Sequence, residues 1–314
     1  MVGVKKAWKT AVGVVAALFL LVSVPFLFSS YPFVTYIIFL LFIYITLAAS
    51  WNFAGGYGGQ MNLAQAAFFG AGAYTQALLA KTVPPYFCLL LGGVVAVAIS
   101  TIVIPCFRLK GTYFAIGTLV LPEIIKVIII NREELGGAGG LHLPVPTQYQ
   151  IASYYYPSLI LALITILITY LLIRSSFGYS LQAMGDDEDA AESIGIATLK
   201  YKILSMFVNA FFAGIAGALY ASYILYVQPY QAFDMVNWTF YPIFMVLLGG
   251  IRTMKGPILG SIIFMGLYYV ITLYLTELSL IIFGLLLVVI AVFLPEGISS
   301  KITFKMREKK GPSS

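Results

Sequence analysis

Charged residues are scarce in this sequence, at 10% of 314 residues, whereas 61% are hydrophobic. Soluble domains carry about a quarter charged residues, so the composition excludes an ordinary soluble protein. Cysteine and histidine are scarcer still, with two cysteines and one histidine in the whole chain. So few of these side chains exclude a disulfide framework and argue against a metal site. The sequence therefore predicts an integral membrane protein with no metal and no catalytic residues.

Apolar runs follow one another along nearly the whole chain. A helix needs about 17 to 25 apolar residues to cross a hydrocarbon core, whereas the strands of a membrane barrel alternate over about ten residues. The runs cover residues 11–28, 33–54, 63–80, 86–107, 113–130, 158–173, 201–225, 237–250, 256–275 and 278–294. Since most are long and continuous, we predict an all-α, polytopic transmembrane bundle of about 8–10 spans. It would form a single domain over residues 1–314.

Lysine and arginine indicate how these spans are oriented, because cytoplasmic flanks carry the positive excess. With the N-terminus in the cytoplasm, fifteen of the 18 basic residues fall on the cytoplasmic side. We therefore expect a multi-pass protein of the cell membrane (inner or plasma) with both termini in the cytoplasm. The same orientation puts a loop over residues 175–200 in the cytoplasm and a loop over residues 131–157 outside.

One cytoplasmic stretch gathers five carboxylates within seven positions. They are Asp186, Asp187, Glu188, Asp189 and Glu192. Acids near the start of a short helix favour it through the helix dipole, and Ala190, Ala191 and Ile194 supply small or apolar contacts. Two interpretations remain open on charge alone: a solvated loop that is polar because it leaves the membrane, or a helix that docks on another protein.

Polar residues interrupt the apolar pattern at a second place, where several glycines precede amide side chains. The residues of interest are Gly58, Gln60, Asn62 and Gln65. Non-helical backbone at membrane depth is tolerated only against protein or a water-filled cavity, so this stretch is a candidate lining of a transport path. An ordinary cytoplasmic turn between two helices explains it equally well. Asn209, on a later helix rich in glycine and alanine, is a further candidate for the path.

A charged pair lies inside one apolar run. Glu123 is about ten residues into its span, near the bilayer centre, and Lys126 follows at i+3 on the same helix face. A carboxylate at this depth costs at least about 2.5–3.5 kcal/mol, so it needs a partner or a role. Either the two residues form a structural ion pair within the bundle, or Glu123 faces the path and meets a substrate ammonium.

Several motifs resemble one family. The stretch DAAESIG, from Asp189 to Gly195, is similar to the EAA loop of bacterial ABC-importer permeases, with Asp at the first position unless Glu188 takes that role. The stretches GGYGGQMNLAQAAFFGAGAYTQALL (55–79) and LKGTYFAIGTLVLPEIIKVII (109–129) resemble LivM-type permeases of branched-chain amino acid ABC transporters. FFAGIAGALYA (211–221) and LPEGI (294–298) match as well.

This resemblance implies the membrane subunit of an ATP-driven importer and not an enzyme. A second permease (LivH-type), two ATP-binding subunits and an extracytoplasmic substrate-binding protein would complete it, without nucleic acid. The residues expected to couple this chain to an ATPase are Asp186, Asp187, Glu188, Asp189, Ala190, Ala191, Glu192 and Gly195. The chain lacks the G-x-x-x-x-G-K-[ST] motif that holds phosphates, so we expect no cofactor of its own, with ATP bound by its partners.

The implied substrate is a branched-chain amino acid, whose zwitterion suits a path with one carboxylate–lysine pair and apolar walls. Urea or a short amide suits the neighbourhood of Gln60 and Asn62 equally well, and related urea permeases look similar at this level. A stand-alone secondary transporter or channel is the rival class. Its mark would be inverted repeats or several intramembrane charges, and the sequence offers no convincing second copy of either.

Overall fold

The chain is almost entirely helical in the residues that its computed structural model describes, which are 19–28, 31–145, 151–274, 278 and 281–285. The helices are α1 (19–27), α2 (Pro32–Trp51), α3 (Gln65–Leu79), α4 (Pro85–Ser100), α5 (Thr112–Ile130), α6 (Ala152–Ile173), α7 (Ser176–Asp186), α8 (Glu188–Ser193), α9 (Thr198–Ile224), α10 (Pro229–Ala232), α11 (Tyr241–Gly249) and α12 (Gly256–Tyr274). Both termini, residues 11–18 of the predicted run 11–28 and most of the predicted run 278–294 lie outside the described residues.

Seven helical stretches of the described chain are long and apolar enough to cross a membrane. Three of them are longer than their α-helices. α2 continues as the π-helix Asn52–Tyr57, and α4 continues as the 3-10 helix Thr101–Arg108. α10, the π-helix Val236–Phe240 and α11 together form the stretch Pro229–Gly249. These spans confirm the predicted polytopic α-helical bundle.

The two ends of the bundle carry different structures. One end, called the acidic face below, carries α7, α8 and the turn between α11 and α12, residues 250–255. The other end, called the strand face, carries the antiparallel pair β1 (Leu141–His142) and β2 (Tyr226–Val227). Chain connectivity therefore sets the direction of the spans: α5 ends at the strand face, α6 returns from it, and α9 runs back to it.

The predicted run 63–80 does not form a full-length transmembrane helix. α3 has 15 residues, which extend about 22 Å at 1.5 Å per residue, short of a hydrocarbon core of about 30 Å. Residues 58–64 before it are not helical. They start at the acidic face, where Gly59 lies against the backbone of Gly185 in α7. Because α4 returns to the acidic face, α3 ends at the strand face. This crossing therefore consists of the non-helical residues 58–64 followed by the helix α3.

The centre of the bundle forms where α3, α4 and α9 pack in backbone contact. A Cβ atom on Gly72 of α3 would lie 1.8 Å from the carbonyl oxygen of Gly214 in α9. Likewise, a Cβ atom on Gly217 would lie 1.9 Å from the carbonyl oxygen of Phe69. Small residues permit such close helix approach in a membrane. The small-residue face of residues 211–221 therefore packs within the bundle.

α6 begins at Ala152, six residues before the predicted run 158–173. Tyr155 in its first turns is fully buried, and its hydroxyl donates a hydrogen bond to the Leu21 carbonyl of α1 at 2.7 Å. Its ring also packs edge-on against Phe42, with 5.4 Å between centroids. Tyrosines are expected near the ends of spans, and Tyr155 is the fourth residue of α6. It contacts α1 and α2 and belongs to the helix and not to the loop before it. The predicted outer loop 131–157 is shorter as a result.

Replacing Gly72 with alanine should destabilise the bundle, because the new methyl group overlaps the Gly214 carbonyl and forces α3 away from α9. Overpacking of this kind costs about 1–3 kcal/mol. Gly266 of α12 is the matched control, since nothing lies within 4 Å of a Cβ atom built there. The measurement is the temperature at which the purified protein loses its monodisperse peak in detergent. A Gly72→Ala protein as heat-stable as Gly266→Ala would contradict the backbone contact.

Candidate functional site

A non-helical segment, residues 58–64, called the extended segment below, runs inside the bundle ahead of α3. Other parts of the chain satisfy its backbone. Trp51 Nε1 donates to the Asn62 carbonyl at 2.8 Å, and the amide of Leu63 donates to Thr118 Oγ1 of α5 at 3.0 Å. The Asn62 side-chain oxygen also accepts the amide hydrogen two residues further on, at 2.8 Å. Buried non-helical backbone requires such partners at membrane depth, so the segment is held in place by at least two helices.

Four amide side chains on or beside this segment are buried and keep atoms without a hydrogen-bond partner in the described chain, and one of them is the Nδ2 atom of Asn62. Gln60 Nε2 donates to Ser205 Oγ of α9 at 3.1 Å, but its Oε1 is unpaired. Gln65 Nε2 donates to the Leu47 carbonyl at 2.8 Å, and its Oε1 is also unpaired. Both polar atoms of the fully buried Asn209 side chain are unpaired. Because each such atom costs about 1–3 kcal/mol, these groups are candidates to bind a small polar solute.

The acidic stretch forms two helices and not one. α7 ends at Asp186, and α8 begins at Glu188, with Asp187 in an extended conformation between them. The Asp187 side chain accepts the Ala190 amide at 3.0 Å and so caps α8. Glu188 and Asp189 lie in the first turn of α8, where negative charge favours the helix dipole. The predicted short helix is therefore observed for the second half of the acidic stretch, after a break at Asp187.

Most of these carboxylates pair with basic residues of the same chain. The pairs are Lys110 with Asp189, Lys202 with Glu188, and Arg252 with Asp186. The Lys110 ammonium lies 2.6 Å from the Asp189 carboxylate. This hydrogen bond raises the pKa of Lys110 and lowers the pKa of Asp189. The contact is therefore ionic at neutral pH, and it is lost only when the pH falls through the lowered carboxyl pKa or rises through the raised ammonium pKa.

Arg252 joins three parts of the acidic face. Its Nε donates to the Gly56 carbonyl at 2.9 Å, and its backbone amide donates to Asn52 Oδ1 at 3.0 Å. Its guanidinium also donates to the Gly185 carbonyl and to the Asp186 carboxylate. One side chain thereby connects the π-helical end of α2, the end of α7 and the turn before α12.

Gly185 brings α7 into backbone contact with the extended segment. A Cβ atom on Gly185 would lie 2.3 Å from the Tyr57 carbonyl oxygen. Across the same contact, a Cβ atom on Gly59 would lie 3.1 Å from the Gly185 Cα atom, and Gly59 has a φ of +68°, which favours glycine. No side chain therefore separates α7 from the start of the extended segment.

A cavity of about 670 Å³ opens on the acidic face between α5, α7, α8 and the extended segment. Its wall includes Gly58, Gln60, Lys110, Glu188, Asp189 and Lys202. Two residues predicted for the path, Gly58 and Gln60, thus line the same cavity as two residues predicted for coupling, Glu188 and Asp189. Asn62 and Gln65 are fully buried and do not line this cavity, and Asn209 follows Ser205 by one turn of α9.

The remaining predicted coupling residues differ in exposure. Ala191 is 2% exposed and packs inside the protein, so it offers no surface to a partner. Ala190, Glu192 and Gly195 are exposed, and Glu192 accepts a hydrogen bond from the Thr198 hydroxyl. Gly195 has a φ of +89°, which a glycine adopts readily, and this turn directs the chain from α8 into α9.

Glu123 and Lys126 pair with each other at 2.6 Å, as their spacing predicts. However, they lie at the outer surface of α5 and not within the bundle or the cavity of the acidic face. The Glu123 side chain is 41% exposed and that of Lys126 is 17% exposed. The Lys126 ammonium lies 5.7 Å from the centre of the Tyr230 ring. The pair therefore belongs to a separate surface.

Sequence reasoning missed the residues that hold the site together. Lys110, Lys202 and Arg252 contribute to the sequence prediction only through the orientation of the spans across the membrane. All three nevertheless flank spans on the side predicted for the acidic stretch. Thr118 and Ser205 lie inside apolar runs, where one hydroxyl produces no pattern. Within the described residues, no group of three or more His, Cys, Asp or Glu side chains could hold a metal.

The fold defines a polytopic α-helical membrane protein whose centre is a partly unwound crossing. The profile of a family described as "branched-chain amino acid transport system / permease component" matches residues 33–291. The chain belongs to this family of transport permeases, which are not enzymes.

Several characterised proteins are similar to this chain over most of its length. It is 28% identical to the high-affinity branched-chain amino acid transport system permease protein LivM of Escherichia coli, over 95% of this chain and 76% of that protein. It is 27% identical to LivM of Salmonella typhimurium, over 86% of this chain and 70% of that protein. An autoinducer 2 import system permease, LsrC of Salmonella paratyphi B, is 28% identical over 56% of this chain and 52% of that protein. No solved structure matches.

Replacing Arg252 with glycine should loosen the contact between α7 and the end of α2. Glycine is the right replacement because Arg252 has a φ of +58°, which alanine tolerates poorly. Hydrogen bonds to charged groups contribute about 1.5–3 kcal/mol each, so amide hydrogen exchange over residues 54–59 should rise about 10- to 100-fold.

The measurement is hydrogen exchange followed by mass spectrometry on the purified protein. Lys255→Ala, an exposed basic residue in the same turn, is the control and should leave exchange over residues 54–59 unchanged. Equal exchange in the two variants would show that Arg252 does not hold the junction.

Proposed function

We propose that this chain is the membrane-spanning permease subunit of an ATP-driven importer for branched-chain amino acids. A binding protein delivers the substrate from outside, a second permease (LivH-type) completes the membrane path, and two ATP-binding subunits supply energy. The family and the names of the similar permeases support the substrate class. The observation that carries the proposal is the backbone contact between Gly185 and Gly59, because it connects a docking surface to a candidate path.

The distribution of positive charge supports a cytoplasmic location for the acidic face. Described basic residues that flank spans at this face are Arg108, Lys110, Arg174, Lys200, Lys202, Arg252 and Lys255. Lys81 and Arg132 flank spans at the strand face. Since cytoplasmic flanks carry the positive excess, the acidic face lies in the cytoplasm and the strand face lies outside.

We expect the surface that meets the ATPase to include exposed apolar side chains. Ile194, which directly follows α8, is 77% exposed, Leu199 in the first turn of α9 is 53% exposed, and Tyr179 of α7 is 67% exposed. Because three of the five carboxylates pair within the chain, less negative charge remains to attract a basic groove. Binding therefore rests on burial of these side chains, with Asp187, Ala190 and Gly195 beside them. Closure of the ATPases then displaces α7 and, through Gly185, the extended segment.

The path runs beside the extended segment. Gly58 and Gln60 border the cavity of the acidic face, and Asn62, Gln65 and Asn209 continue the polar lining deeper in the bundle. The unpaired amide atoms can form a few hydrogen bonds with a substrate but cannot satisfy all of its polar groups. Weak binding of this kind suits a site that must release its substrate after binding it. The same amides favour a second candidate substrate, urea or a short amide, since neither has a formally charged group or needs an apolar pocket.

Replacing Ile194 with glutamate should remove the ATPases from the complex, because a charge would enter the centre of an apolar contact. Val145→Glu is the matched control, since Val145 is 74% exposed near the strand face. The measurement is mass spectrometry of what co-purifies with the tagged chain from its native membrane. We expect two ATP-binding subunits and a second permease with the wild type and with Val145→Glu. A wild-type chain that purifies alone yet moves substrate in empty liposomes would overturn the importer proposal.

Replacing Asn209 with leucine tests whether this residue contacts the substrate or only stabilises the fold. Two unpaired buried polar atoms are replaced by apolar atoms of similar volume, so the thermal stability of the protein should stay equal or rise. Uptake of labelled leucine by the reconstituted importer should nevertheless fall about tenfold, as expected from loss of one hydrogen bond worth about 1.4 kcal/mol. Unlabelled isoleucine should compete with the label and urea should not. Full uptake by Asn209→Leu would exclude this residue from the path, and competition by urea would favour the second substrate.

A further inference from the structure

The exposed surface of α5 carries a charge at the depth of the membrane centre. Glu123 lies 11 residues after Thr112 and 7 before Ile130, or about 16 Å and 10 Å along the helix at 1.5 Å per residue. On a helical projection at 100° per residue, Glu123 lies at the edge of an exposed apolar face. That face consists of Tyr113, Ile116, Val120, Ile124 and Val127, which are 44–74% exposed.

The exposed faces of α4 and α6 are apolar in their middle. α6 exposes Ile160, Leu163, Ile164, Leu167, Ile168 and Leu171. α4 exposes Leu90, Leu91, Val94 and Val95. Surfaces of this kind match lipid tails, which contain no hydrogen-bonding groups. The partly exposed carboxylate of Glu123 distinguishes the face of α5 from these two.

The Glu123–Lys126 pair is oriented with its negative end outward. Lys126 is the more buried partner, at 17% exposed, and its ammonium is flanked by Glu123 on one side and the Tyr230 ring on the other. Glu123, at 41% exposed, presents its carboxylate toward whatever covers α5. Both carboxylate oxygens of Glu123 contact the Lys126 ammonium, but a carboxylate accepts up to about four hydrogen bonds, and an ion pair out of water is stable only when the remaining lone pairs are satisfied. Since this partly exposed carboxylate lies at membrane depth, we expect the covering surface to supply a further hydrogen-bond donor.

We propose that the α5 face is the surface on which the second permease subunit docks, with a donor of that subunit placed against Glu123. This inference rests on the proposed function and adds the location and chemistry of the interface. A soluble partner cannot reach this depth, and lipid cannot supply the donor, so the occupant is another transmembrane chain. The apolar residues of the face supply the packing area, and Glu123 fixes the register of the two subunits.

The test is site-specific photo-crosslinking in native membranes. A photoreactive phenylalanine replaces Val120 on α5 or, as the matched control, Leu167 on α6, which is 55% exposed at a comparable depth. Neither position is packed in the core, so both variants should fold, and co-purifying ATPases confirm an intact complex. We expect position 120 to capture the second permease and position 167 to give no protein adduct.

Three results would overturn the inference while the importer proposal stands, since the ATPases would still co-purify. They are capture of the second permease at position 167 only, capture of a second copy of this chain at position 120, and capture at neither position. Absence of ATPases from the wild-type complex would instead overturn the proposed function.

Glu123→Gln tests the charge itself. Loss of a charge-assisted contact at the interface should make the second permease dissociate about tenfold faster from the detergent-purified complex. Glu133→Gln, a change of the same chemistry in the turn just beyond α5, is the control and should leave the dissociation rate unchanged. An unchanged rate for Glu123→Gln would refute a donor of the partner at this site.

Discussion

Backbone groups inside a bilayer must find hydrogen bonds within the protein, and the extended segment 58–64 is where this chain meets that constraint without a helix. Its carbonyl and amide groups are bonded by Trp51 of α2 and Thr118 of α5, and the side chain of Gln60 reaches Ser205 of α9. Those helices must therefore stand at fixed distances around it. The backbone contacts of α3 with α9 provide the close packing that this arrangement requires.

The segment and the helices beside it combine a close backbone contact with incompletely bonded amides. At the acidic face, Gly185 and Gly59 leave no room for side chains between α7 and the segment. Deeper in the bundle, Gln65 of α3 and Asn209 of α9 keep polar atoms without a partner in the described chain, which costs stability. Natural proteins depart from full hydrogen bonding mainly where function requires it. These two features support the proposed path, whose shape would change when a partner moves α7.

The sequence predicts the bundle well because membrane spans obey a length and composition rule that needs no tertiary information. It fails where a span breaks that rule. α3 is short because residues 58–64 before it are not helical. Glycines and amides in this stretch predict an interruption, but only contacts with other helices show that it lies inside the bundle. The break at Asp187 follows from its capping of α8, which a count of acids does not distinguish from one continuous helix. The spacing of Glu123 and Lys126 predicts their pairing, but not the side of α5 on which they lie, since exposure depends on every neighbouring helix.

The two charged regions of the chain differ in structure from what their composition suggests. At the acidic face, where carboxylates are dense, basic residues of the same chain neutralise most of them and leave Ile194 as the most exposed apolar group of α8 and its turn. On α5, where charge is sparse, one carboxylate is paired with Lys126 and yet stays 41% exposed at an apolar surface. In the proposed complex, a contact at the acidic face gains chiefly from buried area, whereas a contact on α5 gains from a polar interaction strengthened by its low-dielectric surroundings. The surroundings of each ion pair, and not the density of charge along the sequence, distinguish the two surfaces.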